Sequence, residues 1–133
     1  MTAAILADTG PLYALADTSD QYHGRAATEM QSIERRGLMI AVSHGVLCEA
    51  HTLILRRLGG KYARQWLAQV LDGVTVVGVE RGDVALAAAM LDRFPDQPIT
   101  LVDGLLAVLC RRLATPVWTF DRDLMLLGAR IFR

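Results

Sequence analysis

The stretch Ala3 to Leu15, AAILADTGPLYAL, places the tightest constraint on what this chain can fold into. Ile5 and Leu6 are the core of a short apolar run that stops at Asp8, where Thr9-Gly10-Pro11 signals a turn before a second apolar run begins at Leu12. An apolar run without polar alternation suits a strand covered on both faces, as in a parallel sheet. Pro11 suits the first turn of a helix, where a missing N–H leaves nothing unpaired, and Thr9 or Gly10 can stand just before it. The expected unit is a strand running straight into a helix, with an acidic residue at the strand's carboxyl end. Open α/β sheets bind their ligands at that edge. Taken alone, Asp8 suits a purely local role at least as well, because Asp is favoured as a helix N-cap and in turns.

The same alternation continues along the chain. Gln21 to Arg36 has helical spacing, with Ala26, Ala27, Met30 and Ile33 on one side and Gly37 in the position of a C-terminal cap. Leu38 to Val42 reads as a second buried strand, and Ser43 as the N-cap of a helix that runs to Leu58 and stops at Gly59-Gly60. Lys61 to Val70 reads as a short helix with Trp66, Leu67 and Val70 inward. Val74 to Val79 is rich in β-branched residues and reads as a third strand, and Glu80 to Phe94 as a helix closed by Pro95. A helix from about Thr100 to Leu113, a strand over Pro116 to Phe120 and an edge strand over Arg130 to Arg133 complete the pattern. Alternating strands and helices predict one α/β domain over residues 1–133, with a mostly parallel sheet and right-handed crossovers.

A chain of 133 residues can bury roughly two-thirds of its unfolded surface, so neither metal nor disulfide is needed merely to fold. Cys48 and Cys110 lie among apolar neighbours without a paired ligand spacing, and are read as reduced core residues. His23, His44 and His51 are too isolated to suggest zinc and are read as surface residues. No apolar run approaches the roughly 20 residues that cross a bilayer, and the start of the chain lacks the features of a signal peptide, so a cytoplasmic protein without membrane contact is expected. The formal net charge is zero, which argues against holding nucleic acid by bulk electrostatics but not against gripping a short piece locally.

Four acids fall where this fold brings chain segments to one edge. Asp8 and Asp121 each follow a strand, Asp103 sits in the first turn of a helix, and Glu49 lies on the polar side of the helix that opens at Ser43. Each has a local explanation in turn chemistry, the helix dipole or solvation. Gathered at one rim, however, four carboxylates would repel one another, and a hard divalent cation would remove that cost. Oxygen-only ligands favour Mg²⁺ or Mn²⁺.

The ordered set ILADTGPLYAL around Asp8, VSHGVLCEAHTLILRRLG around Glu49, ITLVDGLLAVLCRRL around Asp103 and VWTFDRDL around Asp121 resembles the PIN domains of VapC-like toxins over nearly the whole chain. The resemblance implies a Rossmann-like, five-stranded parallel sheet between helices. It also implies a ribonuclease, the toxin of a type II toxin–antitoxin pair, whose acids Asp8, Glu49, Asp103 and Asp121 bind Mg²⁺ or Mn²⁺ and hydrolyse RNA phosphodiester bonds. Thr119 matches a small hydroxyl position beside such a site, and Asp123 would be an accessory acid. The implied partners are RNA and a cognate antitoxin protein, and a homodimer stays open. Many relatives carry a serine two residues after the first aspartate. Gly10 stands there in this chain, so a hydrogen bond orienting Asp8 is missing or supplied by Thr9. Arg56, Arg57, Lys61 and Arg64 could guide RNA phosphates toward Glu49, although a solvated helix face is their more ordinary explanation. A PIN-like module that binds RNA or protein without strong catalysis, and a phosphatase-like hydrolase using the same metal, are the alternative readings.

Overall fold

The apolar run before Asp8 forms β1 (Ala4–Ala7), and Ile5, Leu6 and Ala7 are each fully buried. Successive side chains of a strand point to opposite faces, so three consecutive buried residues mean that the sheet is covered on both sides. The computed structural model describes residues 3–133; Met1 and Thr2, part of the expected domain, lie outside the described residues.

Next along the chain come α1 (Thr9–Ala16), α2 (His23–Arg35), β2 (Met39–Ser43), α3 (His44–Leu58), α4 (Gly60–Gly73), β3 (Thr75–Val77), α5 (Arg81–Asp92), α6 (Leu101–Leu113) and β4 (Val117–Trp118). A short 3₁₀ turn over Arg122–Met125 follows. All pairings are parallel and the strand order is β3-β2-β1-β4. From β1 the chain steps outward through β2 to β3, then returns through α5 and α6 to place β4 on the other side of β1. Strand order reverses between β1 and β4. A crevice opens beyond the carboxyl ends of two strands at such a reversal, and ligands bind there.

Several expectations change in detail. Among the described residues the sheet has four strands where five were expected: the segment after Arg130 contributes one isolated parallel bridge, Val117 to Ile131. β4 keeps only Val117 and Trp118 of the stretch Pro116 to Phe120, because beyond Trp118 the backbone leaves the sheet toward Asp121. Helix α1 begins at Thr9 with Asp8 as its N-cap, ahead of the proposed caps Thr9 and Gly10. Helix α4 is longer than Lys61 to Val70, starting at Gly60 directly after Gly59 breaks α3 with φ 95°. Cys110 is buried but Cys48 is exposed, facing outward from α3 beside Glu49. His23 is half-buried, with its Nδ1 2.7 Å from the Ala14 carbonyl.

Helix α6 carries Asp103 and is the most enclosed helix, with every residue from Gly104 to Cys110 buried. It packs on α5 through a close crossing at Gly104, where a Cβ would come within 3.2 Å of the Ala87 Cβ. Asp83 locks the same pair: its carboxylate accepts the Glu80 N–H at 2.9 Å and pairs with Arg112 of α6 at 3.2 Å. Replacing Gly104 by Val should lower stability by about 1–3 kcal/mol through overpacking. Ala should be close to neutral, because the gain in helix propensity of about 1 kcal/mol offsets the tight contact. Urea unfolding of the two variants checks this, and a Val variant as stable as its parent would show that the crossing is loose.

Candidate functional site

At the strand-order reversal the structure opens a cavity of about 470 Å³. Asp8 and Thr119 reach it from the ends of β1 and β4, Glu49 from α3, Asp103 from α6 and Asp121 from the segment after β4. All four acids selected from the sequence therefore line one cavity, together with a fifth, Asp20.

Backbone and hydroxyl groups hold three of these carboxylates in place. Asp8 is 7% exposed; its Oδ1 accepts the Thr9 N–H at 2.7 Å and its Oδ2 accepts the Thr119 hydroxyl at 2.7 Å. The same Thr119 oxygen accepts the Asp121 N–H at 2.9 Å, and Asp121 in turn accepts the Asp123 N–H at 2.9 Å, capping the 3₁₀ turn. Asp103 forms a capping box with Thr100: its Oδ2 accepts the Thr100 N–H at 3.0 Å while Thr100 Oγ1 accepts the Asp103 N–H at 3.2 Å. Glu49 projects from α3 and is exposed.

Burial pushes the Asp8 carboxyl up to about 6, against the hydrogen bonds from Thr119 and Thr9 that favour its charged form; the charges of Asp103 and Glu49 push it further up. Beyond the acids, the Tyr13 hydroxyl donates to Asp17 at 2.6 Å, which lowers the Asp17 carboxyl, while burial raises the Tyr13 phenol. The Arg57 guanidinium lies 5.0 Å from the centre of the Tyr13 ring.

Other expected residues are not gathered here. Asp123 does not line the cavity and meets Asp121 through its backbone N–H. Of Arg56, Arg57, Lys61 and Arg64, only Arg57 reaches the cavity wall. Thr9 does not substitute for the missing serine hydroxyl: its Oγ1 is buried and has no hydrogen-bond partner, and Asp8 is oriented by the Thr9 backbone and by Thr119. Six lining residues escaped the sequence reading: Tyr13, Asp20, Tyr22, Arg25, Leu53 and Phe120. Phe120 stood beside a selected acid, and aromatics next to a site residue were the available signal. Tyr22 and Arg25 had none, because their proximity depends on how α2 docks.

The donor chemistry suits a hard divalent cation, since carboxylates and the Thr119 hydroxyl offer only oxygen. Among the described residues no three or more of the acids are drawn together as a ready-made ligand set.

The raised Asp8 carboxyl has a pH signature. Unfolded, the group loses its proton near 3.8, and folded near 6. Between those values the folded state binds more protons, so stability falls as pH rises through the window and the full penalty, roughly 3 kcal/mol, applies above it. In EDTA, the melting temperature of the parent relative to Asp8→Asn should therefore fall between pH 4 and pH 7, by a shift on the order of 8 °C. A difference that stays flat across that range would mean that Asp8 carries no such burden.

The sequence model of the PIN domain family matches residues 5–128. No curated protein matches the chain by sequence. Among solved structures, VapC20 of Mycobacterium tuberculosis, a sarcin–ricin loop cleaving toxin, is 27% identical, with a TM-score of 0.86 over 98% of this chain and 99% of its own. VapBC2 of Rickettsia felis, bound to a DNA fragment from its promoter, is 11% identical with a TM-score of 0.75 over 98% of this chain and 97% of the other. PAE2754 of Pyrobaculum aerophilum is 22% identical with a TM-score of 0.63 over 98% and 90%. The match over residues 5–128, on a four-stranded parallel sheet with its acids at the strand-order reversal, makes this chain a member of the PIN domain family.

Proposed function

We propose that the protein is a divalent-metal-dependent ribonuclease acting as the toxin of a toxin–antitoxin pair. The observation that carries this is the convergence of Asp8, Glu49, Asp103 and Asp121 on one cavity, in a PIN domain whose fold matches VapC20 over its full length. Asp8 and Asp103 are the first choice for direct ligands of Mg²⁺ or Mn²⁺, with Glu49 and Asp121 acting directly or through water. Bound there, the ion would polarise the phosphoryl oxygen, acidify a water and offset charge on the leaving oxygen.

The chain's own contribution is preorganisation. Thr119 fixes the Asp8 rotamer and, by accepting the Asp121 N–H, couples the positions of the two acids. Thr100 does the same for Asp103. Burial of Asp8 keeps water from its carboxylate, which strengthens its interaction with any cation that enters. Glu49 is exposed on α3 and lines the cavity, which supports a role in orienting the attacking water.

VapC20 cleaves the sarcin–ricin loop, so that RNA is the first substrate to test here. A ribonuclease of this kind would harm its own cell unless restrained. A small antitoxin should therefore cover the acidic rim, with an Arg or Lys side chain standing in for the cation.

Purified protein in Mg²⁺ should cut a sarcin–ricin loop RNA, EDTA should abolish cleavage, and Asp8→Asn or Asp103→Asn should each slow it by roughly a hundredfold or more. Equal cleavage in EDTA, or by the substituted proteins, would remove the metal mechanism. Expression without a partner should also arrest growth, and unimpaired growth on strong expression would favour a binding module instead. Calorimetric melting gives an independent readout: Mg²⁺ at about 100 times its dissociation constant should add about 2.7 kcal/mol to the parent and much less to Asp103→Asn.

A further inference from the structure

Beside the carboxylate cavity lies a second groove of about 450 Å³. Arg25, Thr119, Phe120 and Asp121 line both, so these side chains form the partition between them. Farther along, the groove carries Arg122 and Arg133.

Arg25 is held in this partition by a relay that starts in the core. The indole N–H of Trp118, a β4 residue 1% exposed, donates to Glu29 Oε1 at 2.9 Å. Glu29 Oε2 accepts the Arg25 Nε–H at 3.3 Å, and the guanidinium lies 4.4 Å from the centre of the Phe120 ring. Tyr22 packs on the other partner of this stack, its ring 5.5 Å from that of Phe120. An exposed i,i+4 ion pair on a helix is ordinarily loose and worth little. Here the Glu29 end is fixed by a buried indole and the Arg25 end by an aromatic face, so the long side chain has lost much of its freedom before any ligand arrives. Only the Nε–H is used in that arrangement. The Nη groups make no hydrogen bond among the described residues, and the Arg25 side chain remains 54% exposed.

A cavity walled by five carboxylates repels an incoming phosphodiester, and a cation fixed at its rim counters that repulsion where the strand must pass. The planar guanidinium fork matches two phosphate oxygens, and locating it in advance lowers the entropy lost on binding. We propose that Arg25 is a phosphate-binding residue for RNA. A strand whose scissile phosphate lies at the carboxylates passes a neighbouring phosphate over Arg25 and continues into the groove of Arg122 and Arg133. This rests on the nuclease reading above.

The test is RNA binding in an Asp103→Asn background, which suppresses cleavage, with a fluorescently labelled sarcin–ricin loop hairpin as probe and anisotropy read over a series of salt concentrations. Arg25→Gln should weaken binding about tenfold to a hundredfold. It should also make the slope of log affinity against log salt shallower by about one, as expected for one lost phosphate contact. Arg25→Lys should restore the slope but only part of the affinity, because the ammonium keeps the charge without the fork or the stack. Melting temperatures of both variants should stay near that of the parent. If the parent binds and cuts RNA while Arg25→Gln keeps its affinity and salt slope, the phosphate role is wrong and the nuclease reading stands. A loss of affinity with an unchanged slope also overturns it, since Arg25 would then only shape the partition. A parent that neither binds nor cuts RNA removes both ideas together.

Discussion

The hydrogen bond from the Thr119 hydroxyl to Asp8 joins the ends of β1 and β4, and the position of two of the cavity's acids depends on it. Asp8 is buried at the point where a free carboxylate is expensive, and Thr119 supplies one of its two protein donors. The hydroxyl has one proton to give, and gives it to Asp8, so its oxygen is left to accept the Asp121 N–H. A single side chain thereby sets where the backbone turns after β4 and where the second acid stands. Thr119→Val would remove the donor to Asp8 and the acceptor for Asp121 at once while keeping nearly the same volume.

The fold was legible because its signals were local. Short apolar runs ending in Asp8, in Ser43 and before Asp121 marked strands feeding turns or helices, and Gly37 and Gly59 marked helix ends where the backbone adopts positive φ. The extent of β4 and the fate of the last segment were not local. Whether Ile131 makes one bridge or a strand depends on how far β4 stays in the sheet, and beyond Trp118 the chain's hydrogen bonds run instead from Thr119 to Asp8 and from the Asp121 N–H to Thr119. Cys48 misled for a related reason: the residues around it are mostly apolar, but on α3 it lies on the outward side, next to Glu49. Apolar neighbours in sequence do not decide which way a helical residue faces.

The acids of the site were legible through their order along the chain: Asp8 and Asp121 follow strands, Asp103 opens a helix, and Glu49 lies one turn into the helix that opens at Ser43. The residues that surround them were not. Arg25 belongs to a helix that read only as amphipathic, and its place at the cavity follows from the Trp118 indole reaching Glu29 across a sequence separation of 89 residues. The basic cluster that the sequence did suggest is mostly elsewhere: Arg57 is drawn to the cavity by Tyr13, whereas Arg56, Lys61 and Arg64 do not line it. Charge on a helix face is visible in sequence, but the docking that aims it is a long-range property.

From sequence, a local capping role and a shared site looked like competing explanations for the same acids. In the structure Asp8 caps α1, Asp103 completes the capping box of α6, and Asp121 caps the 3₁₀ turn. The two explanations are one arrangement. A helix N-terminus offers a partial positive charge and backbone donors, so it offsets some of the repulsion that gathering carboxylates creates. Each cap also ties one oxygen of the acid to a backbone N–H: Oδ1 of Asp8, Oδ2 of Asp103 and Oδ1 of Asp121. That restrains the carboxyl group while the remaining oxygen stays available, to Thr119 in Asp8 and to whatever enters the cavity in the other two. The local hydrogen bonding that makes each aspartate favourable in isolation is thus the same bonding that prepares the three to act together.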